Sequence, residues 1–381
     1  MADTNTTALA GLVKTAYDRY VEFALRSQPL VRSVADKRPA QQAMPGSSVV
    51  FSLYNDLAAA TSALSEATDP DAVALSDVST TSVTLAEYGN ASLVTRKLQL
   101  FSLSDVDPAV ADIIAYNMAD SLDKIAMESL RQGTNVLYGG SVTSTATVSS
   151  ADTLTSAKIR RAVAKLRSNK AVPRQGSLYW CGIHPEVSHD LRAETGSVGW
   201  RDIHAQTDSA QGNLWAGTIG TYEGAFFVET PRMYEKAEGA NQSTFTTTTT
   251  TTSASGATTI TVASTSGIDV GDGLAISATT GASTLVSAIN GSVLTLSVAT
   301  TAAVTSGATV TITPKTNVFR TILAGKQALA EAVAQEPGVV IGPVTDKLMR
   351  FRPIGWYGVL GFARYREDAL FRIETSSSIS D

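Results

Sequence analysis

Apolar residues return at three- and four-residue steps through positions 107–133, DPAVADIIAYNMADSLDKIAMESLRQG, where Val110, Ile113, Ile114, Met118, Leu122, Ile125 and Leu130 share a stripe. Asp112, Asp120, Asp123 and Glu128 take other faces, and Asp120 with Lys124 and Lys124 with Glu128 form helical pairs. The pattern predicts one long helix. Asp107 suits the N-cap, Pro108 the first helical position, and Gly133 the left-handed residue that stops it. At 1.5 Å per residue the helix is roughly 37 Å long, about twice an average globular helix, and a helix of that length spans a subunit.

The other segments are read relative to this one. Leu9, Leu12, Val13, Ala16, Tyr17, Tyr20, Phe23 and Ala24 predict an N-terminal amphipathic helix over 8–26, ended by Pro29. Over 47–103 the period changes to two β-like runs, SSVVFSLYN and SVTLAEYGNASLVTRKLQLFSL, and Leu98 and Leu100 alternate with Lys97 and Gln99 as a half-buried strand would. The Ala-, Ser- and Asp-rich stretch between the runs predicts an extended two-stranded excursion with an irregular tip. Residues 154–170 predict a second helix with Leu154, Ile159, Val163 and Leu166 inward and Lys158, Arg160, Arg161, Lys165, Arg167 and Lys170 outward. A buried strand over 177–182, a short helix in HPEVSHDLRAETG and a strand over 225–228 complete a mixed region of helices and strands.

Composition separates one segment from all the rest. Positions 241–313 carry no Lys or Arg and only Asp269 and Asp272 as charges, and they open on FTTTTTTT, which reads as a flexible entry linker. Short alternating runs follow, punctuated by glycines, and Asn290-Gly291 between two of them is a hairpin signal. The segment predicts a small all-β module inserted in the host region, which resumes at Val318.

Charge and cysteine content narrow the chemistry. The net charge of −5 over 381 residues gives no general attraction to nucleic acid. The single Cys181 excludes an internal disulfide framework or a multi-cysteine zinc site. No apolar run reaches the roughly 20 residues of a membrane span, and MADTNTTALA lacks the regions of a signal peptide, so the expectation is a soluble chain of intracellular origin. His184, Glu186 and His189 spell H-x-E-x-x-H, but a zinc peptidase helix needs histidines at i and i+4, and Pro185 interrupts the motif. No phosphate-cradling glycine loop occurs, and Asp269 with Asp272 is too small a set for a calcium cage. No catalytic residue, metal ligand or cofactor is expected.

The C-terminal part carries a resemblance. Positions 317–323, Gly325-Lys326-Gln327-Ala328, Asp346-Lys347-Leu348, Gly355-Trp356-Tyr357-Gly358 and the last strand over 369–374 resemble a strand, a short helix and the closing strands of tailed-bacteriophage major capsid proteins, the Hong Kong 97 type. The resemblance implies an α+β fold, with an N-terminal arm (1–46), an extended β loop (47–103), and a spine helix with a peripheral domain (104–170). It further implies the first part of an axial domain (171–240) and a return through axial to peripheral domain (314–381), with the inserted all-β surface domain at 241–313. GIDVGDG and AINGSVLTLS in the insertion are similar to β modules on phage virion proteins.

The resemblance also implies a non-enzymatic shell subunit that meets itself in hexamers and pentamers and encloses double-stranded DNA without sequence-specific contact. Scaffold and portal proteins and a decoration protein are the further partners implied, no membrane is, and the location is a virion capsid assembled in the host cytoplasm. The alternatives are a surface-displayed binding protein whose β module contacts carbohydrate or protein, and a cellular nanocompartment shell of the same fold. Some such shells cross-link through a lysine in the extended loop. Positions 47–95 hold no Lys or Arg, and only Lys97 lies near, so a noncovalent lock is expected instead. Asp56, Glu66, Asp69, Asp71, Asp77 and Glu87 would be drawn to Arg160, Arg161, Lys165 and Arg167 of the adjacent subunit.

Overall fold

The computed structural model describes residues 28–39, 48–54, 57, 59–61, 63, 73–74, 79–101, 106–194, 218–276, 284–343, 348 and 350–379. The N-terminal helix expected over 8–26 lies outside them.

After a 3-10 turn at Val31–Val34 come strands β1 (Ala35–Pro39), β2 (Ser48–Leu53), β3 (Ser79–Thr84) and β4 (Ala86–Thr95) and a short helix α1 (Arg96–Phe101). The long helix α2 (Val106–Leu130) follows. Then come β5 (Val136–Tyr138), α3 (Ser156–Ser168), β6 (Tyr179–Ile183), α4 (Pro185–Ala193), β7 (Thr218–Tyr222), β8 (Ala225–Glu229) and β9 (Glu235–Asn241). The inserted segment holds β10 (Phe245–Thr248), β11 (Thr259–Thr261), β12 (Gly273–Ile276), β13 (Val286–Asn290), β14 (Val293–Leu296) and β15 (Thr309–Thr313). The chain returns through β16 (Lys315–Ala324), β17 (Leu329–Ile341), β18 (Phe351–Arg364) and β19 (Leu370–Thr375).

Helix α2 joins two sheets. Ile114 packs with Val94, Ile354 and Trp356, and Leu122 with Val333 and Leu360, against the four-stranded sheet ordered β1-β17-β18-β4. One turn further, Ala126, Met127 and Leu130 pack with Trp180, Val228, Met233 and Ile322 on one face of the second sheet, ordered β5-β19-β16-β6-β8-β7, with β9 also on β16. The apolar stripe therefore runs at steps of four from Ile114 to Leu130, and it buries successive turns against different partners. Ile113 falls off this stripe and is half exposed. Asp123, read as a polar-face residue, is instead buried: its carboxylate accepts the Arg32 backbone N–H at 2.9 Å and an Arg232 N–H at 3.4 Å. The helix starts one residue before Asp107, which thus lies in its first turn, and Gly133 takes its positive φ of 124° in the turn after the last helical residue.

The second sheet is covered on both faces, which is why YWCGI in β6 is continuously apolar. Tyr179, Cys181 and Ile183 meet α3 and α4 through Ile159, Val163, Leu166, Val187 and Leu191, while Trp180 faces α2. Pro185 does not interrupt α4. It occupies the first turn, where no donor is required, and His184 caps the helix by accepting the Glu186 N–H at 3.4 Å.

β2 and β3 form the expected two-stranded ribbon, docked through Phe51 and Val83 on Ala330 and Ala332. The second β-like run differs from expectation beyond Thr84. β4 leaves the ribbon and pairs antiparallel with β18, and residues 96–101 form helix α1, where Leu98, Leu100 and Phe101 all face solvent. Period-two alternation over four residues was too short to distinguish a strand from one and a half turns of helix. Gly325 to Ala328 is likewise a tight turn with Gln327 at φ 62°, where a short helix was expected.

The insertion is a unit with its own core. The three-stranded sheets β10-β15-β12 and β11-β14-β13 enclose Ile260, Leu274, Val286, Leu294, Val310 and Ile312, and Asn290-Gly291 turns β13 into β14 as expected. Its Thr run is not a linker: 245–248 is strand β10, paired with β15, and Thr249 is buried. The module leaves and re-enters between β9 and β16, which pair antiparallel with Asn241 opposite Lys315, so its two ends are adjacent. Asp272 fastens it there by accepting the Lys315 N–H at 2.9 Å, and Asp269 accepts from the Asn317 amide at 3.3 Å.

Candidate subunit interface

Helix α3 presents the basic face as expected. Its buried stripe of Ile159, Ala162, Val163 and Leu166 leaves Arg160, Arg161, Lys165 and Arg167 exposed on the far side, and its first turn is held by Glu194, which accepts from Ser156 N–H and hydroxyl at 2.9 and 3.1 Å. The four basic residues are not equivalent. Arg160 approaches Glu223 at 3.7 Å, and Arg167 lies over Gly224, in the space a β-carbon there would fill. Among the described residues Arg161 and Lys165 have no ion pair within 4.0 Å, so this part of the face is available to another chain.

Of the acidic partners named above, Asp56, Glu66, Asp69, Asp71 and Asp77 lie outside the described residues. Glu87 is exposed on β4, facing Tyr357 of β18. It belongs to the four-stranded sheet, whereas α3 packs on the other sheet, and no ion pair among the described residues joins the two.

An apolar surface accompanies the charges, and sequence reasoning missed it. Tyr54 is 79% exposed and Val73 76% on the excursion, Phe101 78% on α1, and Val339, Val340, Ile341 and Leu348 stand out at the distal end of the β17–β18 hairpin. Apolar side chains exposed in such numbers on extended segments indicate surfaces that another chain covers. The signal was present in VVI of β17 and LQLF of α1, but without the fold these runs are indistinguishable from core.

Cys181 is fully buried in β6, and burial pushes its thiol well above the usual range, so it acts as a small apolar residue. His189 sits exposed on α4 beside Asp190, at 3.3 Å, one helical turn away from His184.

A family model described as phage capsid protein matches residues 128–379. Among solved structures, the chain is similar to the capsid of Ralstonia phage GP4 at 13% identity and a TM-score of 0.63, with 100% of both chains covered. It is similar to the cyanophage Pam1 capsid at 13% identity and a TM-score of 0.62, again over 100% of both. The Helicobacter pylori bacteriophage KHP30 capsid gives 14% identity and a TM-score of 0.60 over 99% of each chain. At these identities the likeness shows a shared fold, and it extends over the whole chain. No curated protein matches by sequence.

Proposed function

The chain belongs to the phage capsid protein family, a structural family of the virion shell, and we propose that its copies associate as hexamers and pentamers into an icosahedral shell around packaged double-stranded DNA. The observation that supports this most directly is the end-to-end correspondence with phage capsid chains of the Hong Kong 97 type, together with apolar side chains left exposed on the excursion, on α1 and at the end of the β17–β18 hairpin. Expression alone and with a scaffold protein, followed by electron microscopy, tests it. Closed shells are expected; monomers under every assembly condition count against the reading. The acidic net charge implies no tight, salt-sensitive complex between free subunits and DNA. Scaffold, portal and decoration proteins are the partners the reading includes.

Neighbouring subunits are locked without covalent bonds in this reading. The acidic excursion, with Asp56, Glu66, Asp69, Asp71, Asp77 and Glu87, reaches the α3 face of the next subunit, and Arg161 and Lys165 are the better partners because Arg160 has Glu223 nearby. Each exposed pair contributes only about 0.2 to 1 kcal/mol, but the contact repeats at every boundary. Reversing Arg160 and Arg161 to Glu is expected to lower shell stability against salt and heat. Unchanged stability removes α3 from the interface, and a ladder of covalent oligomers on a denaturing gel refutes the noncovalent scheme.

The β module belongs on the outer surface, where a unit of its size does not obstruct the packed interior. Because Asn241 and Lys315 are paired neighbours, replacing 242–314 by a short Gly-Ser turn should preserve assembly. The host loses the hydrogen bonds that Lys315 N–H and the Asn317 amide donate to Asp272 and Asp269, a cost of about 1 to 3 kcal/mol. Failure of the shortened chain to fold would make the module part of the host core.

A further inference from the structure

We propose that His184, Glu186 and Glu235 form a site for one divalent transition-metal ion, at the corner where α4, β9 and the inserted module meet. One ligand atom from each lies within 4.8 Å of the others, and His184 Nε2 is 3.8 Å from Glu235 Oε2. Ligand atoms bound to zinc at about 2.0 to 2.2 Å in a tetrahedral arrangement stand roughly 3.3 to 3.6 Å apart, so this pair needs to close by only a few tenths of an ångström.

The fold builds the corner from distant parts of the chain. His184 follows directly on buried β6 and caps α4, which brings Glu186 to the first turn beside it. Glu235 opens β9 directly opposite Phe319 in the β9–β16 ladder, and the Phe319 ring holds the His184 imidazole at 4.9 Å between centroids. The imidazole is thus positioned by packing before any ion arrives, as a ligand should be. The motif H-x-E-x-x-H contributes its first two members only, and β9 supplies the third ligand in place of exposed His189.

The charge balance calls for a cation. Among the described residues, Glu235 has no Lys or Arg within 4.0 Å. The carboxylates of Glu186 and of Asp269 in the module stand near enough to add to the negative charge there. The His184 imidazole is itself buried, with its Nε2 toward Glu235. A neutral imidazole is the ligand form. Its Nδ1 accepts from Glu186 N–H at 3.4 Å, and when Nε2 turns its lone pair to the ion the proton passes to Nδ1, so that this long cap bond is given up in exchange for the metal bond. No net proton is lost in that tautomeric change. One nitrogen and two carboxylate oxygens suit Zn²⁺ better than Mg²⁺ or Ca²⁺, which take oxygen alone, and the partly exposed Glu235 side leaves room for a water ligand.

The test uses the full chain, stripped with a chelator and titrated with Zn²⁺ by calorimetry, with elemental analysis after gel filtration. About one Zn²⁺ per chain is expected, with a rise of several degrees in the melting temperature. Glu235→Gln, which keeps size and shape, and His184→Asn, which keeps a good helix cap, should each weaken binding by about tenfold or more and abolish the thermal shift. His189→Asn should leave both unchanged. Zinc retained at wild-type affinity by both ligand variants, or well below one ion per chain in the wild type, overturns the site. An equal shift with Mg²⁺ or Ca²⁺ overturns the assignment to a transition metal.

Discussion

Replacing Arg32 by methionine is expected to destabilise the unassembled subunit by about 3 to 5 kcal/mol, although the residue lies near the start of the described residues. Glu331 is fully buried in β17, and Arg32 is its ion-pair partner, donating to Oε1 from Nε at 2.9 Å and from Nη2 at 2.5 Å. Its other oxygen has no hydrogen-bond partner among the described residues. Without the guanidinium a carboxylate is left in an apolar sheet, and the 3-10 turn at Val31–Val34 loses its tie to β17. The double variant Arg32→Met with Glu331→Met should regain most of the loss, since removing both charges leaves none unpaired. Urea midpoints measured on the subunit decide it: a single-variant loss below about 1 kcal/mol means that water reaches Glu331 and the pair is peripheral.

Phe319→Ala carries a comparable penalty for a different reason. The ring is fully buried in β16, within the cluster that α3 and α4 cover, and its removal leaves a cavity that strands held on both sides cannot close. Loss of about 3 to 5 kcal/mol is expected. Phe319→Leu, which keeps most of the volume, should recover more than half. Equal losses for the two variants would show that shape rather than volume governs the position.

These two residues also mark what sequence could and could not reveal. The long helix was legible because its stripe repeats for seven turns, the α3 face because cations collect on one side, and the β13–β14 hairpin because Asn-Gly adopts the turn that strand twist requires. Burial of Asp123 and Glu331 was not legible, since nothing local announces an arginine more than a hundred positions away. Short segments failed for want of length: LQLF fits either period, and the Thr run was assigned by composition although threonine favours strands. The exposure of Arg160, Arg161, Lys165 and Arg167 on one face of α3 was legible at residue level. The apolar surface depended on knowing which apolar residues the fold leaves outside. The third metal ligand depended on β9, whose pairing with β16 spans an entire inserted module.

The order of strands in the larger sheet sets a timetable for synthesis. β19 lies between β5 and β16, pairing parallel with one and antiparallel with the other, and its Glu374 receives Arg320 at 3.0 Å and Arg372 at 2.7 Å. β5 leaves the ribosome some ~230 residues before β19, a wait of about 12 to 45 s at ~5–20 residues per second. During that interval β5 lacks its partner, and β16, made only ~50 residues before β19, then waits with a bare edge and with Arg320 yet to meet Glu374. A subunit with this topology completes its sheet only after β19 has emerged, so nascent chains that stop short of Leu370 lack the strand that joins β5 to β16.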